Sequence, residues 1–347
     1  MATWRSRQRT NLIALFCVVL FVWVFYGETI FPPENNNPNL KTASRPETRP
    51  EARPETPAQP ETPSRPQAES NPKKSTENDV EMVVASMKKE NTTWLYDYLL
   101  DWKKNIYVVD DPTAALTVPV NKGREAMVFL TYIIDRYDSL PGNIIFHHAE
   151  RFQWHNDNVD YDALPLLQRL RFDYLKEQGY ANLRCVWVLG CPVEIHPIKD
   201  DVPGKKGEPV HAKRAYKRAY EELFPEFPVP EAIGVTCCSQ FAVRRETIWK
   251  RPKADYERYR DWLVTSPLGD DISGRVLEYS WHMIFGKKAV HCPAAGQCYC
   301  RLYGLCDLDC EQDECEGQYY LPPFSTLPRG WPMIGWNKED RNWHGPP

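Results

Sequence analysis

The chain has 347 residues, with 43 basic and 47 acidic side chains and a net charge of -4. No long basic stretch accompanies the aromatics, which excludes the electrostatic footprint of a nucleic-acid binder; small-molecule or glycan chemistry fits better. The length leaves a domain of about 270 residues behind an anchor and a linker, and a single compact unit is expected.

Residues 1–10 hold Arg5, Arg7 and Arg9, and an uncharged apolar run from Asn11 to Gly27 follows, closed by Trp23, Phe25 and Tyr26 as an aromatic belt. Roughly 16 to 18 apolar residues meet the lower limit for a span. The exit side, Val24 to Glu28, lacks the small residues a signal peptidase needs, so 11–30 is predicted to be an uncleaved signal-anchor helix. No Lys or Arg follows the run until Lys41, so 1–10 should stay cytosolic and the rest should be luminal. A single-pass type II protein of the Golgi or ER membrane is expected.

Residues 31–77 read as a disordered stem: Arg45-Pro46-Glu47-Thr48, Arg49-Pro50-Glu51-Ala52, Arg53-Pro54-Glu55-Thr56 and Gln59-Pro60-Glu61-Thr62 recur with almost no apolar side chains. Proline favours extended polyproline II at about 3 Å per residue, and the Thr and Ser residues suit O-glycosylation.

A luminal α/β domain is expected over 78–290. Val80 to Ala85 predicts a strand, Thr93 to Trp102 a helix and Ile106 to Val109 a second strand, a βαβ unit with parallel strands. Gly123 to Tyr137 predicts a helix stopped by Leu140-Pro141, and Asn143 to His148 a buried strand. Asp162 is placed to cap a helix running to about Gln178 and ended by Gly179, with a strand over Leu183 to Val188. Ala212 to Phe224 follows as a helix, Ile233 to Val243 as a strand, and Tyr256 to Leu263 and Ile272 to Phe285 as helices. This alternation argues for a mostly parallel sheet with flanking helices, whose ligands bind at the carboxyl ends of the strands.

Of eleven cysteines, ten lie outside the apolar run. The cluster from Cys292 to Cys315 reads as a disulfide-rich, loop-dominated tail over 291–347, packed on the domain. A zinc site on Cys298, Cys300, Cys306 and Cys310 is the competing reading, but the spacing is not a paired C-x2-C pattern. Cys237 and Cys238 are adjacent and are expected to pair elsewhere in the set.

Four segments lie where such a sheet places function. Lys88, Lys89 and Glu90 form the turn after the first strand, where a lysine and backbone N–H groups meet a phosphate; a solvated charged turn is the alternative. Asn91-Thr92-Thr93 is an N-glycosylation sequon on that turn. Asn121, Arg124 and Glu125 surround a helix start, so Arg124 either grips a diphosphate or carboxylate or is merely exposed. His147, His148, Glu150, Arg151, Trp154 and His155 follow a buried strand, with His148, Glu150 and His155 as candidate metal ligands, for Mn or Mg, and Arg151 and Trp154 as substrate contacts. Asp160-Tyr161-Asp162 has the aspartate spacing used to hold a metal on a nucleotide diphosphate, although a helix cap explains half of it. Glu278 and His282 stand four apart beside Trp281, as a catalytic pair or a surface pair. No Gly-x-Ser-x-Gly elbow, His-Glu-x-x-His pair or Walker loop is present.

Asn121-Lys-Gly-Arg-Glu125, Tyr132 to Pro141, Trp154-His-Asn156, Asn182-Leu-Arg-Cys185, Gly190-Cys-Pro192, Cys237 to Val243, Ser273-Gly-Arg275 and Glu278 to Gly286 resemble the fungal-rich domain-of-unknown-function family 3431, from about Val80 to Cys310. That resemblance implies a fold unit and carries no reaction. The opening strand with its Lys-Lys-Glu-Asn turn, and Gln240 to Arg245, are similar to sugar-nucleotide-dependent transferases of the GT-A type. The chain departs from them in having His147-His148-Ala149-Glu150 where they carry Asp-x-Asp. This second resemblance implies a nucleotide sugar donor on the first βαβ unit, Lys89 and Arg124 on its diphosphate, Glu278 as acceptor base and a glycan acceptor. A metal-dependent hydrolase using His147, His148 and His155, and a non-catalytic glycan-binding or scaffold protein, are the alternatives.

Overall fold

Strand β1 (Val80–Ser86) forms because a run of β-branched and apolar side chains can be buried on both faces. The computed structural model describes residues 76–204, 211–308, 310, 313–314, 329–335 and 337–345. The expected anchor and nearly all of the expected stem lie outside the described residues. Among the described residues no helix is long and apolar enough to cross a membrane.

Helix α1 (Thr93–Tyr98) carries the chain from β1 to β2 (Lys103–Val108), which pairs parallel to β1 with Val84 opposite Ile106. The expected βαβ unit is therefore present. Helix α2 (Glu125–Arg136) leads to β3 (Asn143–His148), parallel to β1 on its other side. Beyond it, β6 (Phe241–Arg244) pairs antiparallel with both β3 and β4 (Tyr180–Asn182), giving the order β2-β1-β3-β6-β4. The sheet is mixed, with β6 the reversed strand. Two short strands, β5 (Gly234–Val235) and β7 (Val290–His291), pair parallel in a separate ribbon.

Alternate side chains build two cores. Val83, Ile144, Phe146, Phe241 and Val243 face α2, α5 (Ala212–Leu223), α7 (Lys253–Thr265) and α8 (Asp270–Glu278). Met82, Val84, Ile145 and Ala242 face α1, α3 (Leu164–Arg169), α4 (Phe172–Gln178) and the turn at Tyr299–Tyr303. Each fully buried large apolar side chain contributes about 1.5–3 kcal/mol, so helices on both faces are needed to use them. Glu81 is a buried charge within β1, answered by Lys103 at 2.9 Å, Asn105 at 2.9 Å and the Tyr132 hydroxyl at 2.8 Å.

Four expected elements differ. The helix after Asp162 breaks between α3 and α4, although Gly179 does end it in the left-handed region at φ 73°. Leu183 to Val188 is irregular, because Asn182 and Asp157 side chains take its Arg184 and Cys185 amides at 2.8 and 2.6 Å. The run 233–243 is divided into β5 and β6, because Cys237 and Cys238 bond to each other between them. That bond corrects the expected pairing elsewhere. The run 272–285 splits at Tyr279-Ser280 into α8 and α9 (Trp281–Ile284). There the Ser280 hydroxyl donates to Val276 O at 2.7 Å.

Cys185–Cys298 and Cys191–Cys292 join segments 113 and 101 residues apart, and Cys300–Cys306 closes a short loop. Cys298, Cys300, Cys306 and Cys310 are all disulfide-bonded, which removes the thiolates that a zinc knot on them requires.

Candidate functional site

The carboxyl ends of β1 and β3 and the loop after β2 open into a cavity of about 460 Å³. Ala85, Ser86 and Met87 supply its wall from β1, Val109 from beyond β2, and His148, Ala149 and Glu150 from β3. Its far side is helical. Asn121, Arg124 and Glu125 enter from the start of α2, and Asp270, Asp271, Gly274, Arg275 and Glu278 from α8.

Two glycines bring these helices together. Gly123 has φ 67°, and a Cβ there would meet the Leu263 side chain at 2.3 Å. A Cβ on Gly274 would lie 3.1 Å from the Gly123 carbonyl and 3.4 Å from Arg124 Cβ. The two chains therefore approach closely only because both positions lack a side chain. Asp270 Oδ1 fastens the turn by accepting the Gly123 N–H at 3.1 Å. Gly123→Ala should lower stability by about 1–3 kcal/mol, since both the clash and the left-handed backbone oppose it. Urea denaturation checks this, and an unchanged midpoint would contradict it.

Arg124 follows with φ 56°, a backbone region that side-chain-bearing residues rarely occupy, and it is exposed on the cavity wall. Arg275 Nε lies 3.8 Å from Glu278 Oε2. With Lys89, these two arginines give the cavity three basic side chains.

Glu278 is the chemically distinctive group. Burial pushes its carboxyl up to about 7; the Cys238 N–H, which donates to Oε1 at 2.6 Å, opposes the rise, and nearby Glu125 adds to it. Glu125 is itself raised by burial. Such a carboxyl can exchange a proton near neutral pH.

His148 faces Glu125, its Nε2 3.9 Å from Glu125 Oε2. Burial holds its imidazole down to about 4, so it is neutral, and its Nε2 has no hydrogen-bond partner among the described residues. His155 packs edge-on against it at 4.7 Å, and its Nδ1 contacts Gln153 Oε1 at 3.0 Å. A cation on His148, Glu150 and His155 would need three donor atoms gathered together. Among the described residues, three such atoms fall within 4.8 Å only at Cys237, Cys238 and Glu278. The histidine set is not a preformed three-ligand site.

The cavity thus brings together Lys89, Glu90, Asn121, Arg124, Glu125, His148, Glu150, Trp154, His155 and Glu278 of the residues singled out from sequence. Glu90 also closes its own turn, accepting the Met87 N–H at 2.7 Å. The exposed Asn91 accepts from the Thr93 amide at 3.0 Å.

Six others lie elsewhere. Arg151 is buried in a two-pronged pair with Asp162, at 2.9 and 2.8 Å, which also takes Asp162 away from any metal role. Asp160 is engaged by Arg341. Trp281 is 1 % exposed and stacks on Phe285, deep in the core. His282 is fully buried, its Nε2 3.0 Å from Ala289 O, so the helix break has removed it from the face of Glu278. His147 is likewise turned into the core, its Nδ1 on His148 O at 2.8 Å and its ring edge-on to Trp94.

Sequence reasoning missed Arg275, Asp270, Asp271, Gln153 and Cys238. Arg275 had a signal, its spacing of three from Glu278 on one helix. Asp270 and Asp271 announce a helix start, but nothing local tells which cavity that helix borders.

A family model described as "Protein of unknown function (DUF3431)" matches residues 82–301. No curated protein and no solved structure matches the chain.

Proposed function

We propose, for a chain that belongs to the DUF3431 family, that this cavity is the site of a nucleotide-sugar-dependent glycosyltransferase. The observation that carries the reading is the meeting of Arg124, Arg275 and Lys89 with Glu278, at a carboxyl pushed to about 7, in one cavity at the carboxyl ends of the strands. The strand order, with parallel β2, β1 and β3 followed by the reversed β6, supports a GT-A-like arrangement.

In this reading the donor's diphosphate lies against the cations, and the acceptor hydroxyl approaches Glu278. Glu278 takes the acceptor proton as the oxygen bonds to the anomeric carbon. The carbon–oxygen bond to the diphosphate breaks, and the departing electron pair is stabilised by the arginines and Lys89. His148, Glu150 and His155 do not gather as a three-ligand set among the described residues, so this reading assigns the neutralisation to the arginines and Lys89. The anchor would hold this domain in the Golgi or ER lumen, where glycan acceptors are met.

The test is release of nucleoside diphosphate from a panel of nucleotide sugars with glycan acceptors. Acceptor-dependent release that falls as pH drops below about 7 is expected, because protonated Glu278 cannot accept a proton. No release from any donor would sink the reading.

A further inference from the structure

Residues 237–240 touch the site from three directions. Cys238 lines the cavity and gives its N–H to Glu278 Oε1 at 2.6 Å. Gln240 accepts the His148 N–H at 3.3 Å and donates to Asn156 Oδ1 at 3.2 Å, next to His155. Across this stretch the backbone is held at φ 94° for Cys238 and 50° for Ser239, a region that side-chain-bearing residues keep only where the surroundings enforce it. A bond between adjacent cysteine side chains closes a small ring over this backbone and restricts it.

We propose that the Cys237–Cys238 disulfide is a reducible positioning element for Glu278, through which a dithiol reductant lowers turnover near neutral pH. The proposal rests on the sugar-transfer reading for its effect on turnover. Reduction takes two electrons and two protons from the dithiol, which departs as its own disulfide; the S–S bond breaks and two thiols remain. Once the ring is open, Cys238 and Ser239 can leave the left-handed region, and the Cys238 amide moves off Glu278. The carboxylate then loses the hydrogen bond that favours its charged form.

The charged and titratable groups around Glu278 are Arg275 on its own helix, Arg124 and Glu125 from the start of α2, and His148 beyond Glu125. Tyr279 is adjacent and held well above the ordinary phenol range, first by burial and then by Glu278 itself. None of these groups belongs to the Cys237–Cys238 ring, so the change in Glu278 is assigned to the amide.

The experiment follows the Glu278 carboxyl by carbon-13 NMR in the full-length chain, with the resonance assigned by its loss in Glu278→Gln. The parent, the dithiothreitol-treated parent and a Cys237→Ser/Cys238→Ser variant are compared. The titration is expected to move up by about one pH unit in both altered forms, the worth of one hydrogen bond to a charged group. The acid limb of nucleoside diphosphate release should move with it, and the double variant should no longer respond to dithiothreitol. An unchanged carboxyl titration in the double variant would overturn the proposal, as would a variant that still responds like the parent. Cys237→Ala/Cys238→Ser serves if the first variant does not fold. Absence of sugar transfer in the parent would sink the enzymatic reading instead, and the carboxyl titration still decides this one.

Discussion

Glu278→Gln is expected to abolish most sugar transfer and, at pH 8, to make the protein more stable. A positioned general base contributes roughly 10²–10⁴-fold, so turnover should fall by at least two orders of magnitude. The stability gain has a separate origin. An unfolded chain holds this carboxyl near the ordinary 4.5, whereas in the fold it is pushed up to about 7. Between those values the folded protein binds more protons than the unfolded chain, so its stability falls as pH rises through the window. The cost is absent below about 4.5 and fully present above about 7, where it amounts to roughly 3 kcal/mol. A neutral amide avoids it and still accepts the Cys238 N–H. Urea denaturation of both proteins at pH 4 and pH 8 checks this. Equal stabilities at pH 8, or retained transfer, would contradict the role given to Glu278.

Arg124→Ala should weaken binding of a nucleoside diphosphate about 10- to 100-fold, the range for losing one hydrogen bond between charged groups. Arg124→Lys should recover only part of it, since an ammonium cannot offer the two-pronged contact. The backbone adds a second arm. At φ 56° glycine fits better than any other residue, so Arg124→Gly should be more stable than Arg124→Ala by about 1 kcal/mol while binding no better. Wild-type affinity in Arg124→Ala would remove the arginine from the site.

Much of this arrangement was legible in local patterns. Ile144 to Phe146 is an apolar run flanked by Asn143 and by His147-His148, and Asn143–His148 is a strand with the expected bounds. Tyr216, Ala219, Tyr220 and Leu223 share one helical face, and all four are buried. The residues after β1 and β3 and at the start of α2 were findable because a parallel sheet gathers its strand ends.

The rest depended on contacts distant in sequence. Nothing near Leu183 to Val188 reveals that Asp157 will take its amides, so an apolar run that reads as a strand is irregular. Arg151 reads as a cavity cation until Asp162 is seen to neutralise it in the interior. One continuous helix from Ile272 to Phe285 would set Trp281 and His282 beside Glu278. The break at Tyr279-Ser280 rotates them into the core, where the Tyr216 hydroxyl donates to Tyr279 O at 2.8 Å. The Cys237–Cys238 bond was hidden because adjacency is ordinarily evidence against pairing.

Arg124, Arg275 and Lys89 are proposed to receive a diphosphate beside Glu278. Calorimetric titration of the full-length chain with nucleoside diphosphate sugars, with and without manganese, tests this most directly. Saturable binding of at least one donor is expected, weakened about 10- to 100-fold by Arg124→Ala. No binding of any donor under either condition would contradict it and leave a non-catalytic, glycan-binding role for the cavity.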